Sequence, residues 1–229
     1  MTEVITNGKC GILIMLDLSA AFDTVDHKLL LEDLRTIGIK DEVFRWYKNY
    51  LEDRSVAVVV SNEKSNLRKL KTGVPQGSIL GPMLFGVYTV GLSEILDKHK
   101  VKYKLYADDT QFYFQFETLE EATEKINVIM KDIRVWMIEK KLKLNEDKTE
   151  CMLFGSANAL KKYEHLENIT IGSSSIKIKT EVRNLGVQVD NKLSMKNHVL
   201  QTVKTCNNNI RNIAFIKKYL NECFKNSNK

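Results

Sequence analysis

The strongest constraint in this chain is an apolar run that stops on an aspartate. Gly11 to Leu18 reads GILIMLDL, and Asp17 closes it. So short an apolar run reads as a buried strand. A partner feature lies further along. In Lys98 to Lys104 (KHKVKYK), lysines alternate with His99, Val101 and Tyr103. Period two predicts that the lysines share one face of a strand. That strand runs into Tyr106-Ala-Asp-Asp109, and Gln111 to Phe116 leads away from it. The reading is a hairpin with Asp108 and Asp109 at its tip. Three carboxylates therefore stand at strand ends, 91 residues apart from first to second.

Helices and further strands fill the intervals. Asp26 is placed to cap a helix from His27 to Thr36, which Gly38 ends, and Asp41 to cap a second running to about Asp53. Val56 to Val60 is β-branched, and with Leu67 to Thr72 it predicts a hairpin around the polar turn Ser61 to Asn66. After Thr72-Gly-Val-Pro-Gln-Gly-Ser-Ile-Leu-Gly-Pro82, an apolar stretch predicts a helix over about 79–96. In Glu117 to Leu142, Leu119, Ala122, Ile126, Ile129, Ile133 and Trp136 recur at three- and four-residue spacing, as in a long amphipathic helix. Cys151 to Phe154 reads as a strand, Ser156 to Glu167 as an exposed connection, and short strands follow near Ile169, Ile176 and Val187. Ser194 is placed to cap a last helix with an apolar stripe of Val199, Val203, Cys206, Ile210 and Ile213.

Composition narrows the class. With 229 residues, 43% apolar and 28% charged, the chain is long enough for one sizeable core. Cys10, Cys151, Cys206 and Cys223 form no CxxC pair, which argues against a zinc ribbon or a disulfide framework and suits a reducing compartment. No apolar run reaches the roughly 18 residues of a membrane span, and Met1 to Cys10 does not read as a signal peptide. The charge is unevenly placed. Residues 196–229 hold seven Lys and Arg against Glu222 alone, so they carry the whole net charge of +6. Such a helix reads either as a polyanion contact or as a solvated basic face.

Adjacent carboxylates repel, and a protein that keeps two on a tight turn usually gives them a cation. Oxygen ligands of this kind suit Mg²⁺, which needs only one or two carboxylates beside water and substrate phosphates. Two such ions about 4 Å apart can activate a hydroxyl and stabilise a leaving pyrophosphate. The plainer alternative is that Asp108-Asp109 is only a turn dipeptide.

Five stretches occur in order: LDLSAAFDTVDH (16–27), GVPQGSILGPMLF (73–85), YADD (106–109), LKLNEDKT (142–149) and RNLGVQVD (183–190). Together they resemble the palm of reverse transcriptases, specifically those of jockey-like non-LTR retrotransposons, from about Ile12 to about His198. The resemblance implies an α+β fold: an antiparallel sheet backed by helices, with a partial helical thumb. It divides the chain into a palm with motifs A to D (1–155), a primer-grip-like hairpin region (156–193) and a basic helix that starts the thumb (194–229). The activity implied is RNA-directed DNA polymerase, joining a dNTP to a primer 3′-hydroxyl. The partners implied are an RNA template, a DNA primer, two Mg²⁺ ions (Mn²⁺ as the substitute) and the rest of a retrotransposon polyprotein. That lifestyle implies cytoplasm and nucleus.

The resemblance also distributes roles. Asp17 matches the first metal-binding aspartate, with the Leu18 carbonyl as a backbone ligand. Asp108 matches the second carboxylate ligand and Asp109 its supporting neighbour. Phe22 stands where these enzymes place a steric gate against a ribose 2′-hydroxyl, although a core phenylalanine reads equally well. Gln76 lines the incoming nucleotide, and Gly77 permits close backbone approach. Lys148 matches the motif D lysine, a proton donor or charge screen for pyrophosphate. Leu185 and Gly186 match the primer grip. Lys196, Lys204 and Arg211 would lie along duplex backbone.

Two departures stand out. Tyr88 is followed by Thr89, Val90 and Gly91, where related elements continue Ile-Asn-Asp. Only 16 residues precede Asp17, so the resemblance covers a palm without the fingers that usually come before it. This leaves two readings: a polymerase core, or a catalytically incomplete remnant acting at most as a nucleic-acid-binding fragment. Phe22 argues against an RNA-dependent RNA polymerase, and Ser78 against the group II intron type.

Overall fold

The computed structural model describes residues 1–226 except Gln76 and Ser173, with side chains through Lys217. Its centre is an antiparallel sheet of four strands, β1 (Cys10–Leu16), β2 (Lys102–Tyr106), β3 (Asp109–Phe116) and β4 (Glu150–Gly155), in the order β2-β3-β1-β4. Ile12 of β1 pairs with Phe114 and Leu153, and Ile14 with Phe112 and Cys151. These six side chains belong to the main core.

Helices cover that face: α1 (His27–Thr36), α2 (Asp41–Leu51), α3 (Gly81–Tyr88), α4 (Val90–Lys98) and α5 (Leu119–Glu139). The spacing expected for α5 is what it buries, with Ala122, Ile126, Ile129, Ile133 and Trp136 all inward. The opposite face carries a second cluster of Val4, Leu13, Met152, Phe154 and Val182. Central β1 is thus covered on both sides, which is why GILIML reads as an unbroken apolar run. At Gly11 an added Cβ would lie 2.3 Å from the Phe154 ring, so β4 can pack there only over glycine.

Several expectations hold, and several are corrected. The Asp26 carboxylate caps α1, accepting from the Lys28 and Leu29 amides at 3.0 and 3.2 Å. Asp41 does not cap α2; it opens the helix, and Lys40 stands at the N-cap without a side-chain bond. The helix expected over 79–96 is two, parted at Thr89. That buried side chain turns back to donate to the Phe85 carbonyl at 2.9 Å, competing with the helix ladder. Gly91 then approaches Trp136 so closely that a Cβ would lie 2.7 Å from its ring nitrogen. The departure after Tyr88 therefore has a packing reason.

The two strands expected over 56–72 shrink to two-residue ladders, Ser55–Val56 on Arg68–Lys69 and Val59–Val60 on Glu63–Lys64. Their valines are exposed, with no core face to hold a longer strand. Of the alternating lysines, Lys102 and Lys104 share the exposed face of β2, whereas Lys98 ends α4 and Lys100 sits in a left-handed turn. The connection 156–167 contains a short helix (Ala157–Leu160), and Leu160, Tyr163 and Leu166 pack against the core. The last helix, α6 (Lys196–Asn226), leaves its apolar stripe in solvent. No helix among the described residues is long and apolar enough to cross a membrane.

Candidate active site

Asp17 directly follows β1, one residue beyond Leu16, which pairs with Thr110 of β3. Its position is held from behind. The Asp17 carbonyl accepts from the Asn145 amide at 2.9 Å, and the Ser19 amide donates to the Lys143 carbonyl at 2.9 Å. These bonds flank an antiparallel bridge between Leu18 and Leu144. They use the Asp17 carbonyl and the Ser19 amide, so the bridge does not consume the Leu18 carbonyl. The Leu18 side chain is buried in the core.

The second carboxylate pair comes from the β2–β3 hairpin. Tyr106 pairs with Asp109 across a two-residue turn of Ala107 and Asp108, with Ala107 at φ +51°. A left-handed first turn residue belongs to the tight turns whose twist matches a hairpin. Asp109 thus opens β3 next to buried Thr110. Its carboxyl is pushed above the ordinary range by burial first, then by the charges of Asp108 and Asp17.

A cleft of about 300 Å³ takes in Asp17 and Asp109, whereas Asp108, in the adjoining hairpin turn, lies outside its lining. Asp17, Asp109, Lys148 and Leu185 all line it, together with Asp147 and Arg183. Lys148 ends a single 3-10 turn (Glu146–Lys148), and its Nζ lies 3.6 Å from Asp17 Oδ2. Both partners are partly solvated, so this contact screens charge more than it stabilises the fold. The far wall is the hairpin Glu181–Asn184 and Val187–Asp190. Its turn residues, Leu185 at φ +46° and Gly186 at φ +85°, are both left-handed. The glycine takes this without strain, whereas the leucine is an outlier of the kind that collects at functional sites. Asn184 ties that wall to the sheet, donating from Nδ2 to Gln111 Oε1 at 2.8 Å.

The remaining expected residues are placed as follows. Phe22 lies outside the lining of this cleft, half-buried and stacked on Phe85 with centroids 4.6 Å apart. Its carbonyl accepts from the Val74 amide at 2.9 Å, so the 19–26 segment and the turn after Thr72 are joined by backbone. Gly73 permits this: at φ +91° it meets the Asp23 backbone, where a Cβ would lie 3.0–3.3 Å away. Gly77 is exposed at φ +79° with open space around it, and Gln76 lies outside the described residues. Gly186 lines the neighbouring groove beside α6. Lys196, Lys204 and Arg211 stand exposed along α6, away from the cleft lining. Sequence reading did not single out Arg183, Asn184, Gln111 or Asp147. Arg183 and Asn184 lie inside the quoted RNLGVQVD stretch and Asp147 inside LKLNEDKT, which were the available signals.

Among the described residues, no three His, Cys, Asp or Glu side chains close into a cation cage of protein ligands alone. The acidic donor set still fits Mg²⁺, which keeps waters and substrate oxygens in its shell. The repulsion from Asp108 and Asp17, which adds to burial in raising Asp109, is what a bound cation would relieve.

A family profile described as "Reverse transcriptase (RNA-dependent DNA polymerase)" matches residues 2–189. The chain belongs to this family. Among its relatives, the probable RNA-directed DNA polymerase from transposon BS of Drosophila melanogaster is 27% identical over 210 residues, covering 89% of this chain. The RNA-directed DNA polymerase from mobile element jockey of Drosophila funebris is 27% identical over 80% of this chain. The chain spans 22% and 20% of the lengths of these two relatives. Two solved structures share the fold. Telomerase from Candida albicans in complex with a fragment of telomeric RNA superposes with a TM-score of 0.58 at 13% identity, over 84% of this chain and 32% of that one. Apo telomerase from Candida tropicalis truncated from its C-terminal domain gives 0.55 at 16% identity, over 85% of this chain and 37% of that one. The α+β palm-like architecture expected from the sequence is thus the architecture found.

Proposed function

We propose that the cleft performs RNA-directed DNA synthesis, the activity named in its relatives. The observation that carries this reading is that Asp17 and Asp109 line one cleft at the end of the sheet, with Asp108 in the adjoining turn near enough for its charge to act on Asp109. Asp17, Asp108 and Asp109 would hold two Mg²⁺ ions, or Mn²⁺ in their place, with the Leu18 carbonyl as a further ligand. When bound, the ions supply the positive charge that favours an ionised primer hydroxyl and a leaving pyrophosphate. The primer 3′-oxygen attacks the α-phosphorus of a dNTP, the new phosphodiester forms, and the bond to pyrophosphate breaks.

The chain's own residues do the positioning. Lys148, beside Asp17, would give a proton to the departing pyrophosphate or screen it. Phe22, backed by Phe85, would exclude a ribose 2′-hydroxyl, and Gln76 and Gly77 would border the incoming nucleotide. Leu185 and Gly186 would present the primer end. Lys196, Lys204 and Arg211 would track phosphates. In this reading 1–155 is the palm, 156–193 the grip region and 194–229 the start of a thumb. The template is RNA, the primer DNA, and the setting a retrotransposon polyprotein working in cytoplasm and nucleus.

Primer extension tests this. The purified chain, given an RNA template, a DNA primer, dNTPs and Mg²⁺, is expected to extend the primer, and Asp108→Asn is expected to lose extension by at least a hundredfold. A folded, monodisperse chain that binds the duplex without extending it would overturn the reading in favour of a catalytically incomplete remnant.

A further inference from the structure

The strand Glu181–Asn184, in the far wall of the cleft, is fixed to the body by alternate residues. Val182 is buried in the second cluster, and Asn184 is bonded to Gln111 of the sheet. Strand alternation turns Glu181 and Arg183 to the other face. Glu181 is already engaged there. Its carboxylate accepts from the Asn197 side-chain amide and, at 2.9 Å, from Gln188 Nε2. Arg183 is exposed, and its guanidinium takes no hydrogen bond, ion pair or ring contact among the described residues.

Arg183 also stands where two cavities meet. It lines the cleft with Asp17 and Asp109, and it lines a groove of about 570 Å³ between the hairpin and α6. Among the described residues it alone belongs to both linings. The cleft's other cation, Lys148, lies beside Asp17, and Glu150 pairs with Lys179. In the groove, Glu181 is bonded to amides, and Gln188, Gln201, Thr202 and Thr205 are uncharged. A nucleic-acid strand that ends in this cleft enters among the carboxylates of Asp17, Asp109, Asp147 and Glu150. Divalent ions at the aspartates would serve the reacting phosphate only. A phosphate further back along the strand needs a counter-charge of its own. The guanidinium offers five N–H donors in a planar fork that matches two phosphate oxygens at once. At the mouth of the groove it is free to make that contact.

We propose that Arg183 is a phosphate-binding residue. It holds one of the last phosphodiesters of the strand whose 3′ end enters the cleft, and the groove beside α6 leads that strand away. The assignment rests on the polymerase reading above, which makes the strand a DNA primer. Fluorescence anisotropy of a labelled RNA template–DNA primer duplex on the full chain tests it without turnover. Arg183→Gln is expected to weaken binding about tenfold, the scale of one lost charge-assisted contact. Single uncharged methylphosphonates, placed in turn at the primer linkages nearest the 3′ end, complete a cycle with that variant. At one of these linkages the methylphosphonate should weaken wild type by a similar factor. On that same duplex Arg183→Gln should then cost no more than about twofold further. Additive losses at every primer linkage would overturn the proposal, and so would coupling to the template strand alone. Arg183 is exposed, so thermal melts should show the variant folded like wild type. Coupling with a duplex that is never extended would sink the polymerase reading and keep the phosphate contact. Extension without coupling would remove the contact and keep the polymerase. A folded wild type that does not bind the duplex overturns both.

Discussion

At the scale of single residues, the site is organised around a destabilising choice. Asp109 is held where its carboxyl titrates above the ordinary range, chiefly through burial and then through Asp108 and Asp17. For an acid whose folded pKa exceeds its unfolded value, the folded state binds the extra proton. Stability is then greatest below the unfolded pKa and falls as pH rises through the folded one. At neutral pH the cation-free protein bears that cost, reduced by solvent because Asp109 is exposed at the strand end. Asp109→Asn is expected to raise the melting temperature in chelator and to flatten its decline between mildly acidic and neutral pH. Added Mg²⁺ should raise the melting temperature of wild type and move that of the variant far less. Thermal melts with and without chelator check this, and a variant that melts lower than wild type in chelator would refute it. Function held against stability in this way is common at active sites. The acids themselves were legible in the sequence, because each stands at the end of an apolar strand. Gln111 and Asn184 were not: a side-chain bond between residues 73 apart leaves no local pattern.

At the scale of elements, the connection after α5 does more than link a helix to a strand. Lys140 pairs with Asp33 of α1 while both are largely buried, and the Lys140 carbonyl accepts from the Tyr88 hydroxyl of α3. Lys141 pairs with Asp26, the cap of α1. Burial pushes the Tyr88 hydroxyl up to about 12, so it remains a donor at any ordinary pH. These bonds fix the segment that next lays Lys143 and Asn145 against Asp17 and Ser19. Removing one member strands the other. Lys140→Ala is expected to cost about 3 kcal/mol, because Asp33 would keep its burial and lose its cation. Its Oδ2 is already a buried atom without a hydrogen-bond partner. The joint change Asp33→Leu with Lys140→Met should cost less than Lys140→Ala, since it removes both charges together. Urea unfolding of the three proteins measures the difference, and equal costs would show the pair to be a surface contact in energetic terms. The same scale shows what patterning can and cannot convey. Caps placed α1, and apolar patterning placed α5 and strands β1, β3 and β4, because each has a core face, whereas the alternation at 98–104 started its strand too early, with only Lys102 and Lys104 of its lysines in β2. Patterning overextended the valines at 56–60, since β-branched sequence looks the same whether or not a core lies beneath it. It also missed the break at Thr89, where one hydroxyl and one close approach at Gly91 outweigh an apolar run.

At the scale of the whole molecule, charge and fold are separable. Residues 1–195 hold equal numbers of basic and acidic side chains, while 196–229 carry +6. The body has both sheet faces covered, and none of the described side chains of α6 joins either buried cluster. The charge of α6 can thus be changed without touching the core. Replacing Lys204 and Arg211 by glutamine should leave thermal unfolding of the body unchanged, because both are exposed. Binding to an RNA–DNA duplex should nevertheless weaken, and the dependence of log affinity on log salt should become shallower by about 0.9 for each phosphate contact removed. The two substitutions together should then reduce the slope by up to about 2. Fluorescence anisotropy across a salt series reads this directly. An unchanged slope would mean that these cations never meet phosphate and that the basic face is merely solvated. A lower affinity at constant slope would place their effect in helix geometry instead of counterion release. Only the combination of weaker binding, shallower slope and unchanged unfolding agrees with a basic helix that tracks a duplex beside a neutral catalytic body.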